Sequence, residues 1–445
     1  MTFAKSVIAW SALPAVAILM FAAACGGGSS SSSSNNSGGS TSTLATSCPS
    51  GATNCATLTV NAGPAIVDNE SYINGAFTTV KVCQPGSKTI CSTVEGVLVD
   101  TGSVGLRLLK SAITSASLPT ANSGGGALVE CYPFVSTYMW GPVATADITV
   151  GGETASSAPV MIVDDSTTPA YTAPESCYDY DGSAPNSANS LDALGANGIL
   201  GIGSTPEDCG NYCAQLPASQ VDTSGDFTGL YYSCTSASNC AGTAVATTAQ
   251  VPNPVSRFTT DNNGTAIALP SVSATGTAST VTGALYFGIG TQSNNSMPSR
   301  VSLLQLDTDY EQYITTTFNK VSYTESYIDS GSNGYFFVDS TLKVCSDNSD
   351  WFCPSSTTSL SATTSGWNGN SNSVSFSVAS ADTILTNNNG DNIAASGLAG
   401  PVDSSSNTFD WGLPFFYGRT VYNAIYGSSV TDSSSTVYNG AFVAY

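Results

Sequence analysis

The sequence predicts an all-β protein, and three observations support this. The chain is rich in Thr, Ser, Val, Tyr, Gly and Asn, and heptad patterns of helix formers are scarce. Short runs of β-type residues alternate with turn residues about every ten positions, as in sandwiches and barrels. Two similar segments, around Asp100 and Asp329, lie in opposite halves of the chain, and in each a β-type run ends at the Asp.

The first 25 residues have the pattern of an export signal. Lys5 precedes an apolar run over residues 7–24, which ends in small residues directly before Cys25. This ending resembles the lipobox of bacterial lipoproteins, in which the cysteine is lipidated and becomes the mature N-terminus. The alternative is a transmembrane anchor, since about 18 apolar residues can just span a bilayer. Residues 1–24 are predicted as a signal peptide, and Cys25 as the lipidation site.

A flexible tether follows the lipidated cysteine. Residues 25–47 are mostly Gly, Ser and Asn, which bury too little apolar surface to offset their ordering entropy. The chain is therefore expected to be exported and lipid-anchored to the bacterial cell envelope, in the outer membrane or at the cell surface. The lipid would be its only membrane contact.

The body of the chain contains several predicted elements. Strands are expected over residues 76–82 and 94–99, joined by a turn at 84–87. A hairpin turn is expected at residues 262–264, where Asn-Asn-Gly separates two β-type runs. The clearest helix is short, at residues 191–194, and residues 414–426 fit either a strand or a helix.

The cysteines predict disulfides rather than a metal site. The chain has thirteen cysteines, and setting Cys25 aside leaves an even number, as expected of an exported protein with local disulfides. There is no C-x-x-C pair and no histidine to complete a zinc site, so no metal is predicted. The expected pairs are Cys48/Cys55, Cys83/Cys91, Cys131/Cys177, Cys209/Cys213, Cys234/Cys240 and Cys345/Cys353.

The charged and titratable residues exclude several classes of function. Without histidine, neither a Ser-His-Asp triad nor a Cys-His pair can form. The chain has 31 acidic and 10 basic side chains, which argues against nucleic-acid binding. The acidic excess also suits a protein that works in acid, where protonated carboxyls leave few cations to repel one another. Arg107 and Lys110 are interpreted as strand-end charges.

Two segments carry the predicted chemistry. In each, a β-type run ends in Asp, then Thr or Ser, then Gly-Ser, at Asp100 and at Asp329. The glycine allows a sharp backbone turn, and the neighbouring hydroxyls and N–H groups can fix the carboxylate. Two such loops, brought together, would place two carboxyls around one water. Because like charges this close cannot both ionise, the two carboxyls would share a proton.

This pair of motifs resembles the pepsin-type aspartic peptidases in their single-chain, two-lobed form. The resemblance extends over residues 61–445 and includes Gly-bearing apolar segments at 197–203, 283–288 and 410–416. A bacterial lipoprotein family of unassigned function carries similar motifs. The resemblance implies a bilobal, pepsin-like, all-β fold with a central cleft. It implies an N-terminal lobe over residues 48–250, with a disulfide-rich insertion near 205–250, and a C-terminal lobe over 251–445.

The resemblance also assigns roles to residues of this chain. Asp100 and Asp329 match the catalytic pair, and supporting positions fall at Thr101, Gly102, Ser103, Ser330, Gly331 and Ser332. Val104 and Leu413 replace the Ser and Asp usual at their positions. The family's flap carries a Tyr in a Tyr-Gly-Thr-Gly context that is missing here. The aromatic candidates for this role, which also fit plain core packing, are Tyr132, Phe134, Tyr138 and Trp140.

Two functions remain open on the sequence. One is an aspartic endopeptidase that cleaves an extended polypeptide with activated water and needs no cofactor. The other is a non-catalytic pepsin-fold surface lipoprotein that binds protein or glycan in the cleft. The expected partner is a polypeptide substrate or a surface ligand, and the protein is expected to be a monomer.

Overall fold

A computed structural model describes residues 44–64, 72–134, 137–178, 186–216, 229–307, 313–386 and 392–445. The predicted signal peptide, Cys25 and most of the predicted tether lie outside these residues. Within them, no helix is both long and apolar enough to cross a bilayer.

The N-terminal half consists mainly of strands, which confirms the predicted class. The predicted strands at 76–82 and 94–99 are present as β2 and β3, and the turn between them is closed by a bond from the Ser87 N–H to the Gln84 carbonyl at 2.8 Å. The strands are β1 Cys55–Val60, β2 Ala76–Cys83, β3 Cys91–Asp100, β4 Val104–Leu109, β5 Asn122–Ser123, β6 Gly126–Pro133, β7 Thr137–Val150, β8 Glu153–Val163, β9 Asn186–Ser187, β10 Gly198–Ile202, β11 Tyr231–Ser236 and β12 Asn239–Gly242.

The C-terminal half is also built from strands. Strand β16 pairs with β17 and β19, and β19 pairs with β20 along its whole length. The strands are β13 Gly264–Ala268, β14 Val281–Phe287, β15 Leu303–Gln305, β16 Ile314–Phe318, β17 Val321–Ile328, β18 Tyr335–Phe337, β19 Thr358–Ser365, β20 Ser371–Val378, β21 Ala399–Pro401, β22 Asp410–Trp411, β23 Thr420–Ala424, β24 Ser429–Thr431, β25 Val437–Asn439 and β26 Phe442–Ala444.

The helices are short. The predicted helix at 191–194 is present as α2, and its N-terminus is capped by the Ser190 hydroxyl, which accepts a bond from the Ala193 N–H at 3.0 Å. The α-helices are α1 Glu175–Tyr178, α2 Leu191–Leu194, α3 Gly210–Ala214 and α4 Ala381–Thr386. The 3₁₀ helices are Lys110–Ala112, Thr247–Ala249, Pro254–Arg257 and Leu413–Phe416. The ambiguous stretch at 414–426 thus begins in a 3₁₀ turn and continues as β23.

The hairpin predicted at residues 262–264 is wrong. The segment before it forms the 3₁₀ helix Pro254–Arg257, so no strand stands there to pair with β13. The Asn263 side chain is buried instead and donates to the carbonyls of Ile289 and Ser429 at 3.0 and 2.9 Å. These long-range bonds outweigh the local turn preference of Asn-Gly.

The two halves repeat one arrangement of strands. In the first, β10 runs parallel to β3 and antiparallel to β4. In the second, β22 runs parallel to β17 and antiparallel to β18. Each half thus forms a lobe in which a strand ending at an Asp motif lies beside a later Gly-bearing strand. With its two barrel-like lobes, the chain has the pepsin-like fold.

A shared sheet joins the lobes. Strand β1 pairs with β2 and, on its other side, with β14. From β14 the pairing continues through β13, β23 and β26 to β15. The two lobes are therefore held in a fixed relation by backbone hydrogen bonds as well as by packing.

The core of the second lobe is a stack of aromatic rings beneath the second Asp motif. Phe409 lies between Phe337 and Trp411, at ring-centroid distances of 4.9 and 4.4 Å. The Trp411 indole N–H donates to the Thr316 hydroxyl at 2.9 Å, so the buried ring has its polar atom satisfied. This packing fixes β22 beside the loop that follows β17.

All six predicted disulfides are present, which confirms the pairing inferred from the sequence. They are Cys48–Cys55, Cys83–Cys91, Cys131–Cys177, Cys209–Cys213, Cys234–Cys240 and Cys345–Cys353. Five of them close short local loops, and Cys131–Cys177 joins β6 to α1. Such a set is typical of proteins that fold in an oxidising compartment.

Candidate active site

The two predicted catalytic aspartates meet at the centre of the molecule. Asp100 is the last residue of β3, and Asp329 follows β17 directly. Their exposed fractions are 2% and 0%. The register of the parallel strands places Gly201 beside Asp100, and the same offset in the second lobe brings Gly412 beside Asp329. The sequence predicted that both acids lie at the ends of strands, and the fold brings these two strand ends together.

Each carboxyl is held by its own loop in the same way. The Gly102 N–H donates to Oδ1 of Asp100 at 2.8 Å, and the Gly331 N–H donates to Oδ1 of Asp329 at 2.7 Å. The other oxygen accepts a bond from a serine hydroxyl, Ser103 in the first loop and Ser332 in the second. The two side chains are therefore fixed in rotamer before any ligand binds.

The loops are also bonded to each other. The Thr101 N–H donates to the Ser330 hydroxyl at 3.1 Å, and the Ser330 N–H donates to the Thr101 hydroxyl at 2.9 Å. Each hydroxyl then donates across the lobes, Thr101 to the Ile328 carbonyl at 3.0 Å and Ser330 to the Val99 carbonyl at 2.7 Å. Every bond in this set has a counterpart from the other lobe, so the loops form one rigid unit.

Burial and mutual repulsion control the protonation of the pair. Burial raises the pKa of Asp100 well above its ordinary value, and the charge of Asp329 and a hydrogen bond with it raise it further. Bonds from Ser103 and Gly102 offset part of this rise in pKa. Asp100 therefore favours its protonated form beside Asp329, as expected of two carboxyls held this close.

The four aromatic flap candidates lie in different places. Strands β6 and β7 form the predicted flap hairpin. The half-buried Tyr132 is electrostatically close to Asp100, whose charge raises its pKa, although burial is the larger cause. Phe134 is buried in the core of the first lobe. The Trp140 indole N–H donates to the Tyr171 carbonyl at 2.8 Å, and the Tyr138 ring packs against that of Tyr178 in a tilted arrangement, with the centroids 5.7 Å apart. Of the four, Tyr132 alone has a described interaction with an aspartate of the pair.

Tyr72 is a neighbour of the pair that the sequence did not single out. Burial raises its pKa most, and the charges of Asp100 and Asp329 both raise it further, so it lies near both acids. Its ring packs edge-on against Phe77 at 5.4 Å. The one available signal was its position, a few residues before the predicted strand at 76–82.

Asn74 is a second residue that sequence reasoning missed. It is fully buried in the left-handed region at φ 55° and belongs to the first lobe. Its amide donates to the carbonyls of Asn333 and Ala395 at 2.7 and 2.9 Å, and its oxygen accepts a bond from the Tyr417 hydroxyl at 2.8 Å. It therefore connects the first lobe to the loop that carries Asp329.

Sequence comparison places the chain in a family. A family model described as "Protein of unknown function (DUF3443)" matches residues 50–445. The chain belongs to this family. No curated protein sequence matches it. Among solved structures, it is similar to the aspartic proteinase from Irpex lacteus, at 16% identity and a TM-score of 0.42, over 88% of this chain and 96% of that chain.

The flap of this DUF3443 protein is part of a larger sheet. Strand β11 pairs with β6, and β12 pairs with β11. On the other side, β9 pairs with β7. The segment 205–250, predicted as an insertion, thus supplies the strands that extend the flap, and the Cys131–Cys177 disulfide ties β6 to α1. The flap is fixed along both edges.

A buried charge cluster also anchors this flap, and it corrects the interpretation of Arg107 as a strand-end charge. Arg107 is fully buried and pairs with Glu130 of β6 at 2.5 Å and with Asp208 at 3.2 Å. Its guanidinium lies 3.5 Å from the ring centroid of Tyr132. Lys110, by contrast, is 52% exposed and pairs with Asp164 at 3.2 Å.

Within this cluster Asp208 favours its protonated form. Burial raises the pKa of Asp208 well above its ordinary value, and the charge of Glu130 and a hydrogen bond with it raise it further. The Tyr231 hydroxyl donates to Asp208 at 2.7 Å, and the Val251 N–H donates to Tyr231 at 2.7 Å. Arg107, Glu130 and Asp208 thus form a buried charge cluster that connects β4 to the β6–β7 hairpin.

Replacing Arg107 with Met should destabilise the protein by about 3–5 kcal/mol at pH 7, because Glu130 would stay buried without its cation. The loss should be smaller at low pH, where protonation removes buried negative charge. Urea unfolding at both pH values measures this difference. Lys110→Met is the matched control and should cost no more than about 1 kcal/mol, since Lys110 is half exposed and Asp164 keeps its bonds from Ser166 and Ala170. Equal losses in the two variants would contradict the prediction.

The motif glycines allow the close approach of the two carboxyls. A Cβ on Gly102 would lie 2.5 Å from Cγ of Asp329, and a Cβ on Gly331 would lie 2.6 Å from Oδ1 of Asp100. Each carboxyl therefore lies directly against the glycine of the opposite loop. A side chain at either position would push the acids apart.

Gly331→Ala is therefore expected to lower the turnover of any reaction at the pair by about 10²-fold, through displacement of Asp100. Gly334→Ala is the matched control, because its added Cβ would contact Trp351 at 3.0 Å rather than a carboxyl. The control should keep most of the activity. Turnover and thermal midpoint are measured for both variants. A Gly331→Ala protein with wild-type turnover would show that the reaction does not need the close approach of the two carboxyls.

Proposed function

We propose that this protein is an aspartic endopeptidase of the cell envelope, which hydrolyses peptide bonds with the Asp100–Asp329 pair and a water molecule. The observation that carries the proposal is the crossed hydrogen bonding of the two Asp loops, which fixes two carboxyls against each other. Two ordinary Asx turns would not need reciprocal bonds between distant segments, nor glycines facing the opposite acid.

The roles of the two acids follow from the proton they share. Asp329, in its ionised form, takes a proton from water as the oxygen attacks the scissile carbonyl. Asp100, which retains its proton to higher pH, donates a hydrogen bond to the carbonyl oxygen and stabilises the negative charge that develops there. The proton taken from water then passes to the leaving amine. Tyr132 and Tyr72 lie near the pair and would border the bound peptide.

The direct test is hydrolysis of an unfolded protein by the purified wild type between about pH 3 and pH 7. Cleavage is expected at mildly acidic pH and should be blocked by a pepstatin-type inhibitor. Mass spectrometry of the products identifies the cleaved bonds. Absence of cleavage over this range by a protein with its fold intact would favour the second candidate function.

That second candidate is a surface protein of the same fold that binds a protein or glycan in the cleft without cleaving it. The observation in its favour is the fixed flap, tied into a sheet and by a disulfide, because many enzymes close a mobile segment over the substrate. Val104 and Leu413, which replace the Ser and Asp usual in pepsin-type peptidases, also favour a protein that binds without cleaving.

The cellular location is part of the proposal. Six disulfides fit an exported protein, and Cys25 would carry the lipid that holds it on the cell envelope. Mass spectrometry of the mature N-terminus tests this. A lipidated Cys25 is expected, and an unmodified N-terminus at another residue would remove the anchor from the proposal.

A further inference from the structure

A third acid lies beside the pair, at a position where the first lobe has an aliphatic residue. Asp410 is the first residue of β22 and is in register with Tyr327, two residues before Asp329. At the equivalent step of the first lobe, Ile199 is in register with Leu98, two residues before Asp100. The duplicated architecture therefore differs here by a carboxyl in one lobe only.

Asp410 is completely buried in an environment that does not solvate a charge. Its exposed fraction is 0%, and within the described part of the chain neither carboxyl oxygen has a hydrogen-bond partner of normal geometry. The Ser332 hydroxyl, which donates to Asp329 at 2.8 Å, lies close enough to lower the pKa of Asp410 slightly. Leaving such a group unpaired in the core costs stability, which suggests a functional reason for its presence.

The charges that act on Asp410 are those of the pair. Burial raises its pKa most, the charge of Asp329 comes next, and Asp100 adds a smaller effect. The other titratable group against it is Tyr327, whose own pKa rises through burial and then through the charge of Asp410. Tyr327 packs against Tyr313, with the ring centroids 6.2 Å apart. Among the described residues, these interactions include no cation.

We propose that Asp410 is a positioning residue that acts through Asp329 and keeps one proton on the Asp100–Asp329 pair at higher pH than two acids alone could. This rests on the proposed peptidase function. The charge of Asp329 opposes ionisation of the buried Asp410, and this coupling is mutual. Once Asp410 has ionised as the pH rises, its negative charge therefore makes release of the last proton from the pair unfavourable. The three acids then titrate as a group, and the active, singly protonated pair persists further towards neutral pH.

The test is the pH profile of kcat/KM for the wild type and for Asp410→Asn, which keeps the shape of the side chain but cannot ionise. The acidic limb should be unchanged. The midpoint of the alkaline limb should move to lower pH, by about one unit for acids that interact this closely. An unchanged midpoint in a folded, active variant would overturn the proposal. Asp410→Ile, which copies the first lobe, should shift the limb in the same direction.

Asp208→Asn is the matched control. It removes another buried acid of raised pKa, but the charges that act on this one are those of Glu130 and Arg107 rather than those of the pair. Its alkaline midpoint should equal that of the wild type. A shift as large as that of Asp410→Asn would mean that any buried acid perturbs the profile, and the specific role of Asp410 would fail.

A second measurement separates this inference from the proposed function. Carboxyl ¹³C NMR follows the titration of Asp100 and Asp329 without any substrate. A lower titration midpoint in Asp410→Asn supports the inference even if the wild type cleaves no peptide, and an unchanged midpoint overturns it. Cleavage by the wild type that is lost in Asp100→Asn supports the peptidase, whatever the NMR shows.

Discussion

Replacing either Asp100 or Asp329 with Asn should reduce peptide hydrolysis by about 10³-fold or more, because the pair loses either its base or its shared proton. The fold should survive, since Asn accepts the bonds from Gly102 or Gly331 and replaces a buried acid with a neutral side chain. The thermal midpoint is therefore expected to be unchanged or higher. Initial rates on a fluorogenic peptide, measured at mildly acidic pH, give the comparison.

The control for this experiment is Asp347→Asn, which changes an exposed acid in the second lobe. It should keep the wild-type rate. If Asp100→Asn also kept that rate, the cleavage would come from another site or from a contaminating peptidase. A large loss in both variants of the pair, with thermal midpoints at or above that of the wild type, would place the chemistry at the two crossed loops.

The second large effect expected is a decrease in stability as the pH rises from about 4 to 7. Three buried acids, Asp100, Asp208 and Asp410, have pKa values raised well above the ordinary value of 3.8, in each case by burial first and then by a neighbouring acid. Because the folded state binds these protons more tightly, their stabilising effect is complete below the unfolded pKa and is lost as the pH rises through the folded pKa. Each group changes the unfolding free energy by about 1.4 kcal/mol per pH unit within its window.

Other acids determine the pH below which the protein loses stability again. Burial raises the pKa of Asp164 and Asp432, but hydrogen bonds lower it more, and the Ser405 hydroxyl and N–H lower the pKa of Asp403. The stabilisation from these three acids is lost as the pH falls through their lowered pKa values. Maximum stability is therefore expected near pH 4, where the repulsion from the excess of acidic groups is also reduced.

Urea unfolding at pH 4, 5.5 and 7 measures this dependence. In Asp208→Asn the amide takes the place of the protonated acid, so stability should be close to wild type at pH 4 and higher than wild type at pH 7. The exposed Asp192→Asn should leave the slope unchanged. A wild type that becomes more stable between pH 4 and pH 7 would contradict the assignment of protons to the buried acids.

Much of the fold could be predicted from the sequence, because the information was local. Apolar runs that end in Asp-Thr-Gly-Ser and Asp-Ser-Gly-Ser indicated both strands and the sharp turns after them, and the fold confirms these strands. The short spacing of five cysteine pairs gave their connectivity, and the sixth pair followed by elimination. The residues expected to support Asp100 and Asp329 lie around them in space.

The residues that escaped prediction act through long-range contacts. Arg107 lies in an ordinary strand pattern, and its partner Asp208 is far along the chain, so nothing local indicates that the charge is buried. Asp410 belongs to a segment that resembles the family, but its burial beside Asp329 depends on the parallel pairing of β17 and β22. Asn74 reads as a turn residue, yet its partners lie in the other lobe. For the hairpin at 262–264, tertiary bonds overrode the local signal.

The attachment of the flap has a consequence for how a polymer could reach the two acids. Lifting β6 would require breaking its backbone ladder to β11, reducing the Cys131–Cys177 disulfide and separating Arg107 from Glu130. In the function proposed above, these links would keep the β6–β7 hairpin in place while a substrate binds. We expect a substrate polypeptide to thread lengthwise beneath this hairpin. Disordered or partly unfolded segments could then reach the two acids, whereas compact domains would be too wide to enter.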